Sequence, residues 1–329
     1  MKAIILSAGF GTRLRPLTNY IPKPLIPVGA ISLLEFHIRK LVSFGIKDIV
    51  INSHHLSGSI KSFIGRTKIR GVKLHFLYEK KILGTGGAIK NAQRLLGQEP
   101  FIVVNADIIH DLDINAVLQK HIKSNAIATM AIRNTNKEKY QRILIDKGGN
   151  VISIGKPAKR DKGKKRHLFT GIHIIDPEIF SFIPKGKYSC INASIYSHLI
   201  AKGKKIRACK VTGYWKDIGT IDSYLGSVRD FLKGNLPKEF YKGISGKLIS
   251  KKCQIKNKGF SINVPVYIDP NVEISQNACI GPNAIILKGA QVKDGAKIKN
   301  SLLLNNARIN KDELIEDSIC YKRIFLKRS

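Results

Sequence analysis

Acidic residues are scarce in this sequence, which has 23 Asp and Glu against 57 Lys and Arg and a formal net charge of +34 at pH 7. Such an excess is typical of proteins that bind nucleic acids or anionic membranes. The cations are nevertheless spread along the chain and are dense only in residues 156–166 and 322–329. Aromatic residues are also few, at 7% with a single Trp, and no stretch resembles a base-stacking surface. We therefore expect no nucleic acid partner, and interpret the charge as a lysine bias that also attracts anionic substrates.

Cysteines are few as well, and long apolar runs are missing. The five cysteines are scattered without a Cys-x-x-Cys pair, which argues against both a disulfide framework and a zinc site. No apolar stretch approaches the roughly 20 residues of a membrane span. The first residues pass directly into a predicted strand and do not resemble a signal peptide. We therefore expect a cytoplasmic protein with buried thiols and no membrane segment.

The most informative pattern is the amino-terminal segment AIILSAGFGTRLRPLTNYIPKPLIP. Its apolar start, Ala3–Leu6, predicts a buried parallel strand, and the turn that contains Gly9 and Gly11 can direct several backbone N–H groups at one anion. Arg13 and Lys23 add two cations, which indicates a polyphosphate ligand rather than a single carboxylate. The segment lacks the Gly-Lys-Ser/Thr of a P-loop and the third glycine of the dinucleotide fingerprint. The alternative is a plain tight turn with both cations in solvent.

The strings GFGTRLRPLT and PKPLIPV resemble the signature of the sugar-1-phosphate nucleotidylyltransferases. The resemblance implies that NTP and sugar 1-phosphate are the substrates, that Arg13 neutralises the β- and γ-phosphates, and that Lys23 reaches the α-phosphate or the sugar phosphate. LGTGG at residues 83–87 resembles the base-side loop of that family, and Glu79 stands where relatives place a base-reading Glu or Gln. A surface glutamate at a strand end is the alternative for Glu79. The nucleotide-binding residues implied in this way are Leu6, Ala8, Gly9, Gly11, Thr12, Glu79, Gly84 and Thr85.

Short apolar strands alternate with amphipathic helices up to about residue 233, which predicts an α/β fold with a Rossmann-like, mostly parallel sheet. Predicted strands cover residues 3–6, 47–52, 72–78 and 101–104, and predicted helices cover residues 32–44, 88–96 and 221–232. Because ligands of such sheets bind at the carboxyl ends of the strands, we expect the site at the loop after the first strand and at the loop that contains Asp107.

A six-residue period begins near residue 262. Aliphatic residues recur at every sixth position from Ile262 to Leu304, and small or apolar residues precede most of them by two positions. This period predicts stacked triangular coils and resembles the hexapeptide-repeat left-handed β-helix. Eight hexads make fewer than three coils, and the register departs near Asn310. Residues 261–329 contain no histidine that an acyltransferase would use as base, so we expect a structural or oligomer-forming repeat and a homo-oligomer. The predicted domains are residues 1–233, a linker at 234–260, and 261–329.

Two aspartates fit the charge requirements of nucleotidyl transfer. The reaction brings two anions together, so catalysis depends on positioning, cations and Mg²⁺. Asp107 ends the apolar strand of PFIVVNADII, and Asp217 lies in GYWKDIGT. Either could merely cap a helix, although Thr220 is better placed to cap the second one. Both strings resemble metal-binding positions of the family, so the expected catalytic residues are Arg13, Lys23, Asp107 and Asp217, with the two aspartates holding Mg²⁺.

The sugar side departs from the family pattern. Relatives commonly have Glu-Lys-Pro in the middle of the chain, whereas this chain has Gly155-Lys156-Pro157, and neutral Asn192 or Ser194 stands where relatives often place an acid. Phe169-Thr170-Gly171 resembles the substrate-pocket turn of the family. The expected sugar-phosphate residues are Asn105, Lys156, Thr170 and Gly171.

Three functions remain open from the sequence. The first is an enzyme that makes GDP-mannose from GTP and mannose 1-phosphate, judged on overall likeness to chains with this two-part organisation. The second is a uridylyltransferase for glucose 1-phosphate or an N-acetylated amino-sugar 1-phosphate. The third is a non-catalytic regulatory subunit that binds a nucleotide sugar, which would be expected to lose one of the four charged residues kept here.

Overall fold

The computed structural model describes residues 1–135, 140–155, 165–243, 247–249 and 259–328. The chain forms two compact units. The first contains Met1–Gly9 and His37–Trp215, and the second contains Phe10–Phe36 and Lys216–Ser329. The segment that carries Arg13 and Lys23 is thus grouped with the carboxyl-terminal repeat. Among the described residues, no helix has both the length and the apolar character needed to cross a membrane.

The strands are numbered in chain order. The first thirteen are β1 (Ala3–Leu6), β2 (Pro27–Val28), β3 (Ile31–Ser32), β4 (Asp48–Ser53), β5 (Lys73–Tyr78), β6 (Phe101–Asn105), β7 (Ile108–His110), β8 (Ala128–Asn134), β9 (Arg142–Ile145), β10 (Val151–Gly155), β11 (His167–Ile175), β12 (Ile206–Lys210) and β13 (Trp215–Asp217). The remainder are β14 (Lys247–Ile249), β15 (Ser261–Ile262), β16 (Val266–Ile268), β17 (Glu273–Ile274), β18 (Cys279–Ile280), β19 (Ala284–Ile286), β20 (Gln291–Val292), β21 (Lys297–Lys299), β22 (Leu302–Leu303), β23 (Arg308–Ile309), β24 (Leu314–Glu316), β25 (Ser318–Tyr321) and β26 (Ile324–Lys327).

The helices are α1 (Leu33–Ser43), α2 (Ser57–Arg66), α3 (Gly84–Asn91), α4 (Gln93–Leu96), α5 (Ile114–Ile122), α6 (Ser197–Ala201) and α7 (Ile221–Leu232). One π-helical turn, Ile191–Tyr196, precedes α6. The predicted helix over residues 221–232 is confirmed, and Thr220 caps it through a hydrogen bond from the Ser223 N–H to its hydroxyl. The helix predicted to begin at residue 88 begins four residues earlier, at Gly84, so LGTGG forms its first turn and is no free loop.

The first unit is built around a nine-stranded sheet. β6, β1, β4 and β5 pair in parallel, as the alternation of strands and helices predicts. β11 runs antiparallel to β6 and extends the sheet through β8 and β9. The strand interiors are fully buried, with Ile4, Ile5, Val50 and Val103 each 0% exposed. This rigid sheet fixes the carboxyl ends of β1, β4 and β6 beside one another.

The second unit contains the repeat, which forms stacked coils of short strands. Parallel ladders run through β15, β18, β21 and β24, through β16, β19, β22 and β25, and through β17, β20 and β23. The corners carry Asn and Asp with positive φ, among them Asn277, Asn283 and Asn300, the residue types that tolerate this conformation best. The predicted β-helix is confirmed as an arrangement of parallel strands, and its eleven parallel strands extend beyond the eight predicted hexads.

The predicted register is wrong by one residue at its last position. Ile268 pairs with Ile286, and Ile286 pairs with Leu303 rather than with Leu304. That coil is one residue shorter than the preceding ones, and buried Ser301 occupies the place two residues before Leu303. The Ser301 hydroxyl accepts a hydrogen bond from the Ser318 N–H at 3.1 Å. This bond satisfies the buried hydroxyl, which occupies a position that is alanine in most other coils. The departure therefore comes earlier than the predicted position near Asn310.

Within the second unit, α7 packs against both the repeat and the amino-terminal segment. The ring of Phe231 on α7 meets Tyr267 of β16 edge-on, with centroids 5.3 Å apart. A Cβ atom on Gly29 would lie 2.4 Å from the same Phe231 ring, so only glycine fits there. The Tyr224 hydroxyl donates to the Pro27 carbonyl at 2.5 Å, and the rings of Phe36 and Phe240 stack at 4.6 Å. The segment that carries Arg13 and Lys23 thus packs against α7, and α7 packs against the repeat.

Candidate active site

The strand ends of the first unit are connected by a buried hydrogen-bond chain centred on Glu79. The Ser7 N–H donates to Oδ1 of Asn52 at 2.7 Å, and the Asn52 amide donates to Oε1 of Glu79 at 2.7 Å. The other oxygen, Oε2 of Glu79, accepts from the Leu83 N–H at 3.1 Å. Glu79 and Asn52 are each only 2% exposed. Each carboxylate oxygen of Glu79 therefore accepts a hydrogen bond from the protein. The alternative of a surface glutamate is wrong, because the side chain is buried.

The glycines of LGTGG make room for protein backbone. A Cβ atom at Gly84 would lie 2.5 Å from the Ser189 carbonyl oxygen, and one at Gly87 would lie 2.8 Å from that of Lys187. The Gly86 N–H donates to the Ser189 carbonyl at 2.9 Å. The Thr85 hydroxyl accepts a hydrogen bond from the Ile191 N–H at 2.9 Å. Thr85 and the three glycines thus hold helix α3 against residues 187–191.

Asp107 lies in the two-residue turn between β6 and β7 and is half-buried. The Ala106 N–H donates to the Leu6 carbonyl at 3.1 Å, which anchors this turn to the end of β1. His37 of α1 packs beneath the turn, only 1% exposed. Burial lowers the pKa of His37 to about 4, against the opposing effects of the Asp107 charge and of backbone hydrogen bonds with Ala106 and Ile108. His37 is therefore neutral at pH 7 and adds no positive charge beside Asp107.

Further polar residues of α1 and β7 support this turn, and the sequence analysis missed them. The His37 and His110 rings lie with centroids 6.0 Å apart, and the Lys40 ammonium donates to Oδ1 of Asp111 at 2.6 Å. Burial, followed by the charges of His37 and Lys40, holds the pKa of His110 well below its usual range. These residues could have been found from the sequence. His37 and Lys40 are three residues apart, which places two polar side chains on the buried face of an amphipathic helix.

The predicted sugar-side residues of this unit lie together at the ends of β6 and β11. A Cβ atom on Gly171, whose φ is +86°, would lie 3.1 Å from Cβ and Nδ2 of Asn105, so the glycine lets the Asn105 side chain approach. Thr170 is 0% exposed, and its hydroxyl donates to the Ala131 carbonyl at 2.9 Å. The Thr170 carbonyl accepts from the Trp215 indole N–H at 2.8 Å. Asn105, which is half-buried, is therefore the better placed of these residues to contact a ligand. Lys156 lies outside the described residues.

In the second unit the turn at Gly11 is closed by the residues that follow it. Gly11 has a φ of +65°, and a Cβ atom there would lie 2.9 Å from Cγ2 of Thr18 and 3.2 Å from Cβ of Lys23. The Thr18 hydroxyl donates to the Gly11 carbonyl at 3.0 Å. Lys23, on a short helical turn over Lys23–Leu25, is thereby held next to Gly11. The predicted proximity of Lys23 to the glycine turn is present in the structure.

Arg13 packs against the loop that carries Asp217. A Cβ atom on Gly219 would lie 2.8 Å from Nη2 and 2.9 Å from Nη1 of Arg13. The guanidinium group of Arg13 therefore covers Gly219, which lies two residues after Asp217 in the sequence. Gly9 and Thr12 are exposed and Ala8 is half-buried.

The two predicted metal ligands are Asp107 in the first unit and Asp217 in the second. Asp107 and Asp217 supply oxygen atoms, which a hard divalent cation prefers. No group of three or more His, Cys, Asp or Glu side chains is clustered for metal binding within the described part of the chain. A metal held by either aspartate would take few ligands from the protein and the rest from substrate phosphates, as Mg²⁺ commonly does.

The sequence of residues 2–234 matches the nucleotidyl transferase family, so the chain belongs to that family. Residues 262–324 match a domain described as the GMPPB C-terminal domain. The predicted family and the predicted α/β fold followed by a β-helix are therefore confirmed. Members of this family generally use a divalent metal ion.

The chain is similar to several named proteins. It is 29% identical over 258 residues to a UTP–glucose-1-phosphate uridylyltransferase of Synechocystis sp., covering 74% of this chain and 66% of the relative. It is 31% identical over 240 residues to a mannose-1-phosphate guanyltransferase of Yarrowia lipolytica, covering 71% and 63%. The chain thus spans about two thirds of the length of these relatives. A crystal structure of HddC from Yersinia pseudotuberculosis with GMP-PN shares the fold, with a TM-score of 0.60, 24% identity, and coverage of 70% of this chain and 99% of HddC.

Proposed function

We propose that the protein transfers a nucleotidyl group from an NTP to a sugar 1-phosphate and releases pyrophosphate. An oxygen of the sugar phosphate forms a bond to the α-phosphorus of the NTP, and the bond from that phosphorus to the pyrophosphate oxygen breaks. The observation that supports the proposal is the packing of the Arg13 guanidinium over Gly219, two residues after Asp217, in a chain that matches the nucleotidyl transferase family over residues 2–234. A regulatory subunit is less well supported, because Arg13, Lys23, Asp107 and Asp217 are all present.

The cationic residues have distinct roles in this proposal. Arg13 can bind two phosphate oxygens at once through its planar fork, which suits the β- and γ-phosphates of the departing pyrophosphate. Lys23 is a point charge, which suits the oxygens of the α-phosphate as the new bond forms. Lys156 would hold the phosphate of the sugar. The exposed turn with Gly9 and Thr12 would meet the triphosphate through backbone N–H groups.

We propose Mg²⁺ as the metal, held by Asp107 and Asp217. When bound, the ion supplies positive charge that draws the two anionic substrates together and stabilises the leaving pyrophosphate. Asp107 is suited to such a role because β1 anchors its turn through the Leu6 carbonyl, and buried His37 supports the turn from below in neutral form.

The best-supported substrates are GTP and mannose 1-phosphate. Relatives named mannose-1-phosphate guanylyltransferase or guanyltransferase come from a bacterium, several fungi and an insect. The match of residues 262–324 to the GMPPB C-terminal domain is a second observation in favour of these substrates. The uridylyltransferase of Synechocystis sp. favours UTP and glucose 1-phosphate as the second candidate. Glu79 is buried and each of its carboxylate oxygens accepts a hydrogen bond from the protein, so the choice between guanine and uracil does not rest on its identity.

The domain boundaries at residues 233 and 261, the homo-oligomer and the cytoplasmic location remain proposals. The two family matches support the domain boundaries. The parallel strand ladders of the repeat support the homo-oligomer. The four free cysteine thiols of the described residues support the cytoplasmic location.

The function is tested by measuring pyrophosphate release with Mg²⁺ across four NTPs and a panel of sugar 1-phosphates. We expect one productive pair, with GTP and mannose 1-phosphate the most active combination. The variant Arg13→Gln serves as the negative control, since it removes the charge and leaves a polar side chain. A folded protein that is silent with every pair, yet binds a nucleotide sugar, would show the regulatory function instead.

A further inference from the structure

A cavity of about 830 Å³ lies in the first unit between α5, β12 and the turn that joins β9 to β10. Its lining residues include none of the predicted site residues. The volume lies within the range of about 300–1,000 Å³ that is typical of small-molecule sites. The cavity is therefore large enough for an organic ligand, and the proposed nucleotidyl transfer does not use it.

The cavity is lined by positive charge with almost no counter-charge. Its six cationic residues are Lys120, Lys123, Lys147, Lys165, Arg207 and Lys210. Within the described ranges, none of the six forms a salt bridge. The one acidic residue of the lining, Asp146, accepts hydrogen bonds from the Asn150 backbone N–H at 2.8 Å and from its side-chain amide at 2.9 Å. These bonds hold the pKa of Asp146 below its usual value and engage its carboxylate with Asn150.

Arg207 differs from the five exposed lysines because it is half-buried and held in place. Its Nη1 donates to Oδ1 of Asn150 at 3.1 Å, and its guanidinium lies 3.6 Å from the position that a Cβ atom on Gly149 would take. Its Nε is buried and has no hydrogen-bond partner among the described residues. A buried donor without a partner costs free energy, and a ligand oxygen that reached Nε would recover that cost.

The floor of the cavity is apolar and contains one buried imidazole. Leu144, Ala208 and Cys209 are each at most 9% exposed, and His167 is 2% exposed. Burial lowers the pKa of His167, and the charges of Lys210 and Lys165 lower it further, against a backbone hydrogen bond with Ile143. These two lysines therefore act on the same buried group. The cavity thus combines an apolar floor with a rim of uncompensated positive charge.

We propose that this cavity binds a small organic phosphate that carries at least two negative charges. Lysine and arginine are the usual protein partners of phosphate oxygens, and six of them around one opening favour a ligand with more than one phosphate charge. The apolar floor suits the carbon skeleton of an organic phosphate better than inorganic phosphate alone. Such a ligand would be a regulator or a second substrate of the protein, held apart from the predicted active site.

The test uses the full chain and isothermal titration calorimetry at a fixed ionic strength of about 0.1 M, because salt screens non-specific attraction. The probes are glucose 1,6-bisphosphate and adenosine 3′,5′-bisphosphate, neither of which is a nucleoside triphosphate, with inorganic phosphate for comparison. We expect saturable binding of at least one bisphosphate at one site per chain, and weaker binding of inorganic phosphate.

Two charge-matched double variants locate the site. Lys120→Gln with Lys210→Gln removes two exposed cavity lysines, and Lys61→Gln with Lys68→Gln removes two exposed lysines outside the cavity. We expect the cavity variant to lose at least tenfold in affinity and the control to stay within twofold, with nucleotidyl transfer unchanged in both. Arg207→Gln, which also removes a cavity cation, should likewise lose at least tenfold in affinity. Equal losses in both double variants, or an absence of saturable binding by the unmodified protein, would overturn the proposal.

Discussion

The side-chain amide of Asn52 donates a hydrogen bond to Oε1 of Glu79 over 2.7 Å, and neither residue is exposed by more than 2%. This bond connects the end of β4 to the end of β5, and the second oxygen of Glu79 continues the connection to the Leu83 N–H. On the other side, Asn52 holds the Ser7 N–H after β1. The turn that follows β1 and the start of α3 are therefore fixed to each other through two buried side chains.

We expect Glu79 to position the nucleotide-binding segments and not to select the base. Glu79→Gln exchanges one acceptor for a donor that faces the Leu83 N–H, and Asn52→Ala removes the other link. Losing a buried hydrogen bond to a charged group costs about 1.5–3 kcal/mol of folding stability. Because the segments that it fixes would then be misplaced, each change should also lower kcat/KM, by about tenfold. The reduction should be equal for GTP and UTP, measured as the ratio of the two kcat/KM values.

The double variant of Asn52 and Glu79 distinguishes the two interpretations. If both residues act through one connection, the double variant should lose little more than either single variant, since coupled neighbours are not additive. A change of preferred NTP in Glu79→Gln that is absent from Asn52→Ala would instead show that Glu79 reads the base.

This network also shows where sequence reasoning stops. The spacing of Glu79 from Gly84 correctly located the residue near the loop, but motif matching cannot tell a ligand contact from a buried support. The same is true of LGTGG, where residues 187–191, a hundred positions away, determine why Gly84, Gly86 and Gly87 are needed. Long-range backbone packing of this kind leaves no periodic pattern in a single sequence.

Strands and repeat coils were more predictable, because their patterns are local. Apolar runs located β1, β4, β5 and β6 to within one or two residues. The six-residue period correctly identified the aliphatic residues that face the interior of the coils from Ile262 to Ile298. It failed at Leu303, where one coil is a residue shorter and Leu302, Leu303 and Leu304 are all aliphatic. Three equivalent side chains in a row leave the period unable to specify which one faces inward.

We expect Asp107→Asn and Asp217→Asn each to reduce turnover by at least about a hundredfold, the loss of roughly 3 kcal/mol of transition-state stabilisation. Both changes keep the side-chain shape, so the circular dichroism spectrum and thermal unfolding should be unchanged. Pyrophosphate release at several Mg²⁺ concentrations is the measurement, with Glu99→Gln, an exposed carboxylate, as the control. Near-normal Mg²⁺-dependent turnover in either aspartate variant would remove that residue from the metal site.

Gly219→Ala should impair catalysis through Arg13 while the protein remains folded. The new methyl group would lie 2.8 Å from Nη2 of Arg13, and the guanidinium, at the end of a flexible side chain, would have to move. We expect a rise of about tenfold in KM for the NTP, since a misplaced phosphate ligand weakens binding. Gly65→Ala, where a Cβ atom meets nothing within 4 Å, is the control and should leave KM unchanged. An unaltered KM in Gly219→Ala would show that the position of Arg13 is unimportant.

The repeat should support the phosphate-binding segment as well as assembly. Tyr267→Ala removes a fully buried ring that packs on Phe231, the same ring that covers Gly29. We expect the free energy of unfolding to fall by about 3 kcal/mol or more, and turnover to fall as well, because residues 10–36 carry Arg13 and Lys23. Leu314→Ala, at a 62% exposed position of the same repeat, should change neither. Full turnover of Tyr267→Ala at a temperature where it remains folded would confine the repeat to a structural or oligomer-forming role.

His173 should make the protein less stable in mild acid. The ring is fully buried and its Nδ1 lies 2.6 Å from the Tyr196 hydroxyl oxygen, and burial lowers its pKa from 6.5 to about 3. Between these two values the unfolded chain binds a proton at this site and the folded protein does not. The unfolded state is therefore favoured progressively as the pH falls from 6.5 towards 3, and above pH 6.5 this loss disappears.

The comparison is between the unmodified protein and His173→Gln, which keeps a neutral hydrogen-bonding side chain that does not titrate. Urea unfolding at pH 7.5 and pH 5.0 should show the unmodified protein losing about 2 kcal/mol more than the variant over that interval, the value expected for one proton across 1.5 pH units. The difference between the two proteins cancels the carboxylates and the other histidines, including His37. Equal losses in both would mean that folded His173 accepts its proton as readily as it does in the unfolded chain.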